Sequence, residues 1–262
     1  MPELPEVEAY RRLADKAVGR TVSEVVAPDL WYLKRGLTPE AAAAALTGRR
    51  LTRTRRIGKL LLIETDRGKG PVLGLHFGMS GRLVVDGVAG VNDLAYASNR
   101  ELEAWDRFAL RFTKGGDLRM RDPRRLGGVM VDPDETRLGP DAGEVGLADL
   151  RRLLDGSKAP LKARLMDQSR LAGVGNLIAD EALYRAGLDP ARPAGSLTPA
   201  ERRRLHRHLR ATIVDDIEKG GSHVGEIMGE RRTGGRCPRD GSPLIRRTVG
   251  GRTTWSCPQH QR

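Results

Sequence analysis

The chain has 262 residues, with 46 Lys and Arg against 34 Asp and Glu, a formal charge of +12. That length can bury a sizeable core in one large domain or in two to three modules, and the cationic excess points to an anionic partner, nucleic acid ahead of a membrane surface. No apolar run spans a bilayer, no basic amphipathic anchor stands out, and no basic stretch followed by an apolar one opens the chain; these exclude a membrane class and make a cytoplasmic protein the expectation.

The opening MPELPEVEAYRR carries helix-start signals, a proline and acidic residues in the first turn. Val7, Tyr10, Leu13 and Ala17 then fall on one face. Taken alone, that is an ordinary helix N-terminus. From TVSEVVAP the pattern changes to short strand-like stretches: RRIGKLLLIET, VLGLHFGMSGRLVV, DRFALRF and GDLRMRDPRR, separated by Gly, Asp and Asn turns. Phe108, Leu110 and Phe112 alternate as in a strand with one buried face, which predicts a sandwich or barrel. The alanine run at 41–45 reads as plain helix.

Past LGPDAGE the spacing turns helical, through LADLRRLLD, LKARLMDQSRL, NLIADEALYRAG and TPAERRRLHRHLRATIVDDIEKGG. In GVGN (173–176) the glycines permit a tight turn, and Asn176 is placed to cap the next helix with outward N–H groups that suit a phosphate; an inert helix–helix turn has the same sequence. HFGMSGRL and DPRRLGG place Met79 and Leu126 in glycine-flanked loops. Composition favours core positions for both, while apolar wedges beside arginines are also how proteins part stacked bases. From about Val224 onward there is too little apolar sequence for an independent core. Cys237 and Asp240 stand three apart, as do Cys257 and His260, and 16 residues separate the pairs. Two such knuckles supply four tetrahedral ligands, whereas without metal the same segment is a β-hairpin in which Asp240 makes a turn. Arg246, Arg247 and Arg252 lie between the knuckles and suit phosphate contact.

In the order PELPEVE, RRIGKLLL, HFGMSG, DPRR, LMDQ, AGVGNLIADEALYRAG and a terminal two-knuckle finger, the chain resembles the formamidopyrimidine-DNA glycosylase and endonuclease VIII family almost end to end. The resemblance implies an α+β multidomain fold. An N-terminal helix plus β-sandwich would occupy 1–136, a helix-two-turn-helix domain 137–223, and a C-terminal zinc-finger β-hairpin 224–262, with DNA in the cleft between the halves. It also implies base-excision repair by a monomeric bifunctional glycosylase and abasic-site lyase acting on double-stranded DNA that holds a damaged base or abasic site.

Once Met1 is removed, Pro2 has a secondary amine unprotonated near neutral pH, suited to attack C1′ of an extruded nucleotide and form an iminium. Glu3 then looks like the general acid and proton shuttle, Glu6 a second acid of the pocket, and Lys59 a catalytic-site cation and phosphate binder. His76, Asn176 and Arg252 resemble phosphate binders, while Met79, Arg124 and Leu126 resemble the residues that fill the hole left by the flipped base. Cys237, Asp240, Cys257 and His260 would hold one structural zinc ion, with Asp and His where the family usually has cysteine. Leu126 stands where the formamidopyrimidine branch usually has Phe. Between IEKGGSH and Cys237 the chain is shorter than in typical formamidopyrimidine glycosylases, where a loop there caps everted 8-oxoguanine. That implies a preference for oxidised pyrimidines, abasic sites or another lesion. A non-catalytic damaged-DNA binder on the same scaffold is the alternative. An N-terminal-proline enzyme for small carbonyls would leave the finger, the GVGN turn and the charge unexplained.

Overall fold

The structure, a computed structural model, describes residues 2–91, 100 and 102–262. The chain divides into two compact units, one of Pro2 with Glu6–Glu135 and the other of Glu3–Pro5 with Thr136–Arg262.

In the first unit, α1 (Leu4–Ala14) continues into a 3₁₀ turn, and Val7, Tyr10, Leu13 and Ala17 are all buried as their spacing predicts. Tyr10 packs on Phe77 with ring centroids 4.4 Å apart. Nine strands are described: β1 (Val22–Val26), β2 (Leu51–Ile57), β3 (Leu60–Thr65), β4 (Val72–His76), β5 (Arg82–Val85), β6 (Val88–Ala89), β7 (Asp106–Phe112), β8 (Asp117–Arg121) and β9 (Gly128–Val131). They form a five-stranded sheet ordered β1-β7-β8-β5-β6 and a four-stranded sheet ordered β2-β3-β4-β9. Phe108, Leu110 and Phe112 of β7 join Leu61, Ile63, Leu73 and Leu75 of the other sheet in one core, so the alternation read from the sequence marks the inner face of a sandwich. The alanine run lies in α2 (Pro39–Leu46), whose N-cap Thr38 accepts a hydrogen bond from Ala41 N–H.

Two stretches that read as single units are broken by glycine. RRIGKLLLIET is a hairpin, turning at Gly58 (φ 57°) and Lys59 between β2 and β3. VLGLHFGMSGRLVV supplies β4 to one sheet and β5 to the other. At the break, Gly78 has φ 57° and passes so close to the Leu126–Gly127 backbone that a Cβ there would lie 2.3 Å from the Leu126 carbonyl carbon.

The second unit contains α3 (Leu147–Leu154), α4 (Leu161–Leu165), α5 (Asn176–Ala186) and α6 (Pro199–Glu218), packed around Leu150, Leu161, Ile178, Leu183, Leu205 and Leu209. A capping box of Thr198 and Glu201 starts α6. LKARLMDQSRL is not one helix. It ends after α4, where the Asp167 carboxylate accepts from the N–H and hydroxyl of Ser169 and turns the chain. Gln168 then donates to the carbonyls of Met166 and Val174 and accepts from Gly173 N–H, stapling the GVGN turn. The hairpin of β10 (Ile245–Val249) and β11 (Arg252–Ser256) has only a small core of Ile227, Leu244, Trp255 and the two cysteines, completed by Tyr184 of α5. No helix among the described residues is long and apolar enough to cross a membrane.

Candidate active site and metal centre

Pro2 and Glu3 are both buried. The Glu3 carboxylate sits on the N-terminus of α5, with Oε1 accepting from Leu177 N–H at 2.8 Å and Oε2 from Ile178 N–H at 3.1 Å. Leu4 N–H donates to Gly173 O at 3.3 Å and Leu4 packs into the helical core. A carboxylate is the natural occupant of a helix start, where free N–H groups and the positive dipole end converge. Gly175 makes the approach feasible, because a Cβ there would lie 2.1 Å from the Glu3 carboxyl carbon.

This arrangement corrects the reading of Asn176. Gly175, not Asn176, is the N-cap, and it makes no side-chain cap bond. The N–H groups expected to face a phosphate are held by Glu3. Asn176 is half-buried, and its Oδ1 has no protein hydrogen-bond partner.

In the first unit, strand register collects other expected residues at one end of the four-stranded sheet. Leu60 pairs with His76, and His76 pairs with Gly128, so the Lys59 turn, the end of β4 and the 122–128 loop are neighbours. His76 Nδ1 accepts from Gly78 N–H at 3.3 Å, which leaves Nε2 as the donor of the neutral ring. His76 is exposed to solvent, yet protein atoms crowd around it. That crowding and the nearby Lys59 and Lys34 cations lower its pKa from the usual histidine value. Glu6 is only 3% exposed, in the first turn of α1.

The loop that carries Arg124 and Leu126 is organised by buried Asp122. Its carboxylate accepts from Ser80 Oγ at 2.5 Å, Gly127 N–H at 2.8 Å and Arg124 N–H at 3.1 Å. Arg124 is exposed and Met79 half-buried. Leu126, for which composition suggests the core, is 45% exposed, because the short loop between Asp122 and β9 turns it outward.

At the hairpin, the ligand atoms of Cys237, Asp240, Cys257 and His260 all lie within 4.8 Å of one another. Cys237 Sγ is 3.4 Å from His260 Nδ1, Cys257 Sγ is 3.1 Å from Asp240 Oδ2, and His260 Nδ1 is 3.5 Å from Asp240 Oδ2. Tetrahedral zinc with bonds of roughly 2.0–2.3 Å sets its donors about 3.3–3.8 Å apart. His260 Nε2 faces Tyr184 O at 3.2 Å, the kind of outer bond that orients a ligating imidazole. The donor set therefore fits zinc. Arg252 opens β11 and is exposed, as is Arg246, but Arg247 is paired with Asp189 and is not free for phosphate.

Two supports escaped sequence reading. Lys162 of α4, fully buried, reaches Asp180 of α5 at 2.7 Å and also donates to Thr253 O and Thr254 Oγ1 of β11, while Arg231 binds the other Asp180 oxygen at 2.8 Å. Burial lowers the Lys162 pKa despite its anionic partner. The second support is Glu181, 1% exposed, whose carboxylate accepts from Glu226 and Ile227 N–H and so pins the segment before the finger. The only sequence signal for either is a charged residue at a core-facing helix position.

Residues 1–129 match the model of the formamidopyrimidine-DNA glycosylase N-terminal domain, and residues 138–227 match that of the formamidopyrimidine-DNA glycosylase H2TH domain. The chain belongs to the formamidopyrimidine-DNA glycosylase family. A family member from Geobacillus kaustophilus is 36% identical with all of both chains covered, and one from Methylobacillus flagellatus is 34% identical over all of this chain and 96% of its own. Among solved structures of the family, the Thermus thermophilus protein aligns with a TM-score of 0.81 at 35% identity, covering 99% of this chain and 98% of that one. The Lactococcus lactis protein, solved with DNA containing an abasic site, aligns with a TM-score of 0.83 at 26% identity over both whole chains. Pro2, Glu3, Glu6, Lys59, His76, Met79, Arg124 and Leu126 fall within the first family match and Asn176 within the second; Arg252 and the metal ligands lie beyond both.

Proposed function

We propose that this base-excision-repair DNA glycosylase and abasic-site lyase uses Pro2 as its nucleophile, with Glu3 held at the start of α5 as its proton shuttle. The observation that carries the reading is the seating of the Glu3 carboxylate on two backbone N–H groups directly beside the proline in sequence. After Met1 is removed, the Pro2 nitrogen donates its lone pair to C1′. The glycosidic bond breaks and its electrons leave with the base. Glu3 takes the proton from the proline nitrogen and returns it at the sugar ring oxygen, opening the ring to the iminium. Loss of the C2′ proton to water sends its electron pair into the iminium to give an enamine; that pair then closes the C2′–C3′ double bond as the 3′ phosphate leaves with the C3′–O electrons.

Lys59, His76 and Arg252 suit phosphate contact through charged or N–H donors, and Asn176 through its amide. Met79, Arg124 and exposed Leu126 suit the space vacated by the extruded nucleotide. Cys237, Asp240, Cys257 and His260 are the residues to hold one zinc ion, which when bound supplies folding energy to a hairpin with little core of its own. Freshly purified protein should contain about one zinc per chain by elemental analysis, falling with Cys257→Ala. The stretch between IEKGGSH and Cys237 is short against the family pattern, which favours lesions that need no extended cap: oxidised pyrimidines, abasic sites or another lesion. Membership of a glycosylase family and the intact Pro2–Glu3 start favour catalysis over a non-catalytic binder.

The test is borohydride trapping on duplex with an abasic site, using native-start protein, Pro2→Gly and a form retaining Met1. A covalent adduct formed only with free Pro2 is the expected result. An adduct of equal yield from Pro2→Gly would overturn the assignment.

A further inference from the structure

Among the described residues the two most exposed large apolar side chains are neighbours, Leu30 at 69% and Trp31 at 68%. The chain has only three Trp, four Tyr and three Phe. Trp255 packs in the finger and Trp105 is half-buried, so Trp31 is the one tryptophan turned to solvent. Single exposed apolar residues are common, but an adjacent pair that includes an indole asks for an occupant.

The pair rides on a braced support. Asp29 accepts from Trp31 N–H at 3.1 Å and takes a two-pronged bond from Arg125 at 2.6 Å on each oxygen. Tyr32 behind it is fully buried, Leu33 forms a β-bridge with Val129, and Lys34 N–H donates to Val129 O at 2.9 Å. Leu30 and Trp31 are thereby fixed to the same 122–129 segment that presents Arg124 and Leu126. In front of them is an open hollow of about 600 Å³, bounded also by Glu103, Arg107 and Arg125. Its carboxylates are mostly spoken for: Asp29 by Arg125 and Arg107, and Asp106 by Arg119 and Arg121, which leaves Glu103 as the acid at the rim. Lys34 Nζ stands 5.3 Å from the Trp31 ring centroid.

We propose that Trp31, flanked by Leu30, is a stacking surface for a nucleobase left without a neighbour when the lesion nucleotide is extruded, and that it works beside the Leu126 wedge. The inference rests on the glycosylase reading above. Two side chains offer far less than the roughly 1,000 Å² of a stable protein interface, but they match the face of one base. Cations around an aromatic platform are the pattern that holds unpaired nucleotides.

Binding is read by fluorescence anisotropy on a duplex with a tetrahydrofuran abasic analogue and on the same duplex undamaged. Trp31→Ala should weaken binding to the lesion duplex roughly 5- to 100-fold, with a much smaller change on undamaged duplex. Trp31→Phe should keep most of the affinity. The salt dependence should be unaltered, because no phosphate contact is lost. Acrylamide should quench tryptophan emission less in the lesion complex than in free protein. Equal affinity of wild type and Trp31→Ala for the lesion duplex, or equal loss on both duplexes, would overturn the inference. Absence of a trapped adduct and of lesion preference in the wild-type protein would instead strike the glycosylase reading itself.

Discussion

At the scale of single residues, the proposed proton transfer depends on how Glu3 is held. Its two oxygens meet two N–H donors, so Glu3→Gln turns an amide NH₂ toward one of them and removes the charge that the helix start favours. The expected cost is about 1–3 kcal/mol in stability and roughly 10²- to 10⁴-fold in single-turnover base release, measured by denaturant unfolding and rapid quench. His76 gives a pH signature. Its pKa lies below the unfolded value, so the unfolded chain binds more protons there and stability is lost as pH falls through the window beneath about 6.5. A phosphate beside the ring raises that pKa again. Affinity for duplex should therefore rise as pH falls from 7.5 to 5.5, and His76→Gln should flatten the dependence; titration by anisotropy checks both.

At the scale of elements, Lys162 links three pieces: its own helix α4, the acidic partner Asp180 on α5, and strand β11, which begins at Arg252. Buried charges are expensive, and removing one partner leaves the other uncompensated. Arg231 still holds one Asp180 oxygen in Lys162→Met, so the expected loss is about 3 kcal/mol, at the low end for a broken buried pair. Unfolding in urea should show that loss, and amide exchange at residues 252–256 should quicken while α6 is unaffected. Here the sequence was a poor guide, since LKARLMDQSRL has helical spacing throughout and nothing in it announces that the helix stops after Leu165 or that its lysine is wholly enclosed. The sandwich was easier to foresee, because alternation at Phe108, Leu110 and Phe112 is a local signal whereas the partner of a buried charge is set by distant residues.

For the whole molecule, the formal charge of +12 predicts steep salt dependence. With Lys59, Arg252 and nearby cations in their proposed phosphate contacts, log K should fall with log salt at a slope of about −2 to −4, and Lys59→Ala should reduce that slope by about 1. Family and motif order were legible because PELPEVE, HFGMSG and GVGN are contiguous strings. The occupant of the α5 N-terminus was not legible, since it lies 174 residues upstream of the N–H it binds. That separation also orders events during synthesis. At roughly 5–20 residues per second, some 10–30 s pass between emergence of Glu3 and emergence of the helix that receives it. Through that interval the Glu3 carboxylate lacks the two N–H groups that later hold it. The helix start and its carboxylate are thus made far apart in time, by the order of the chain alone.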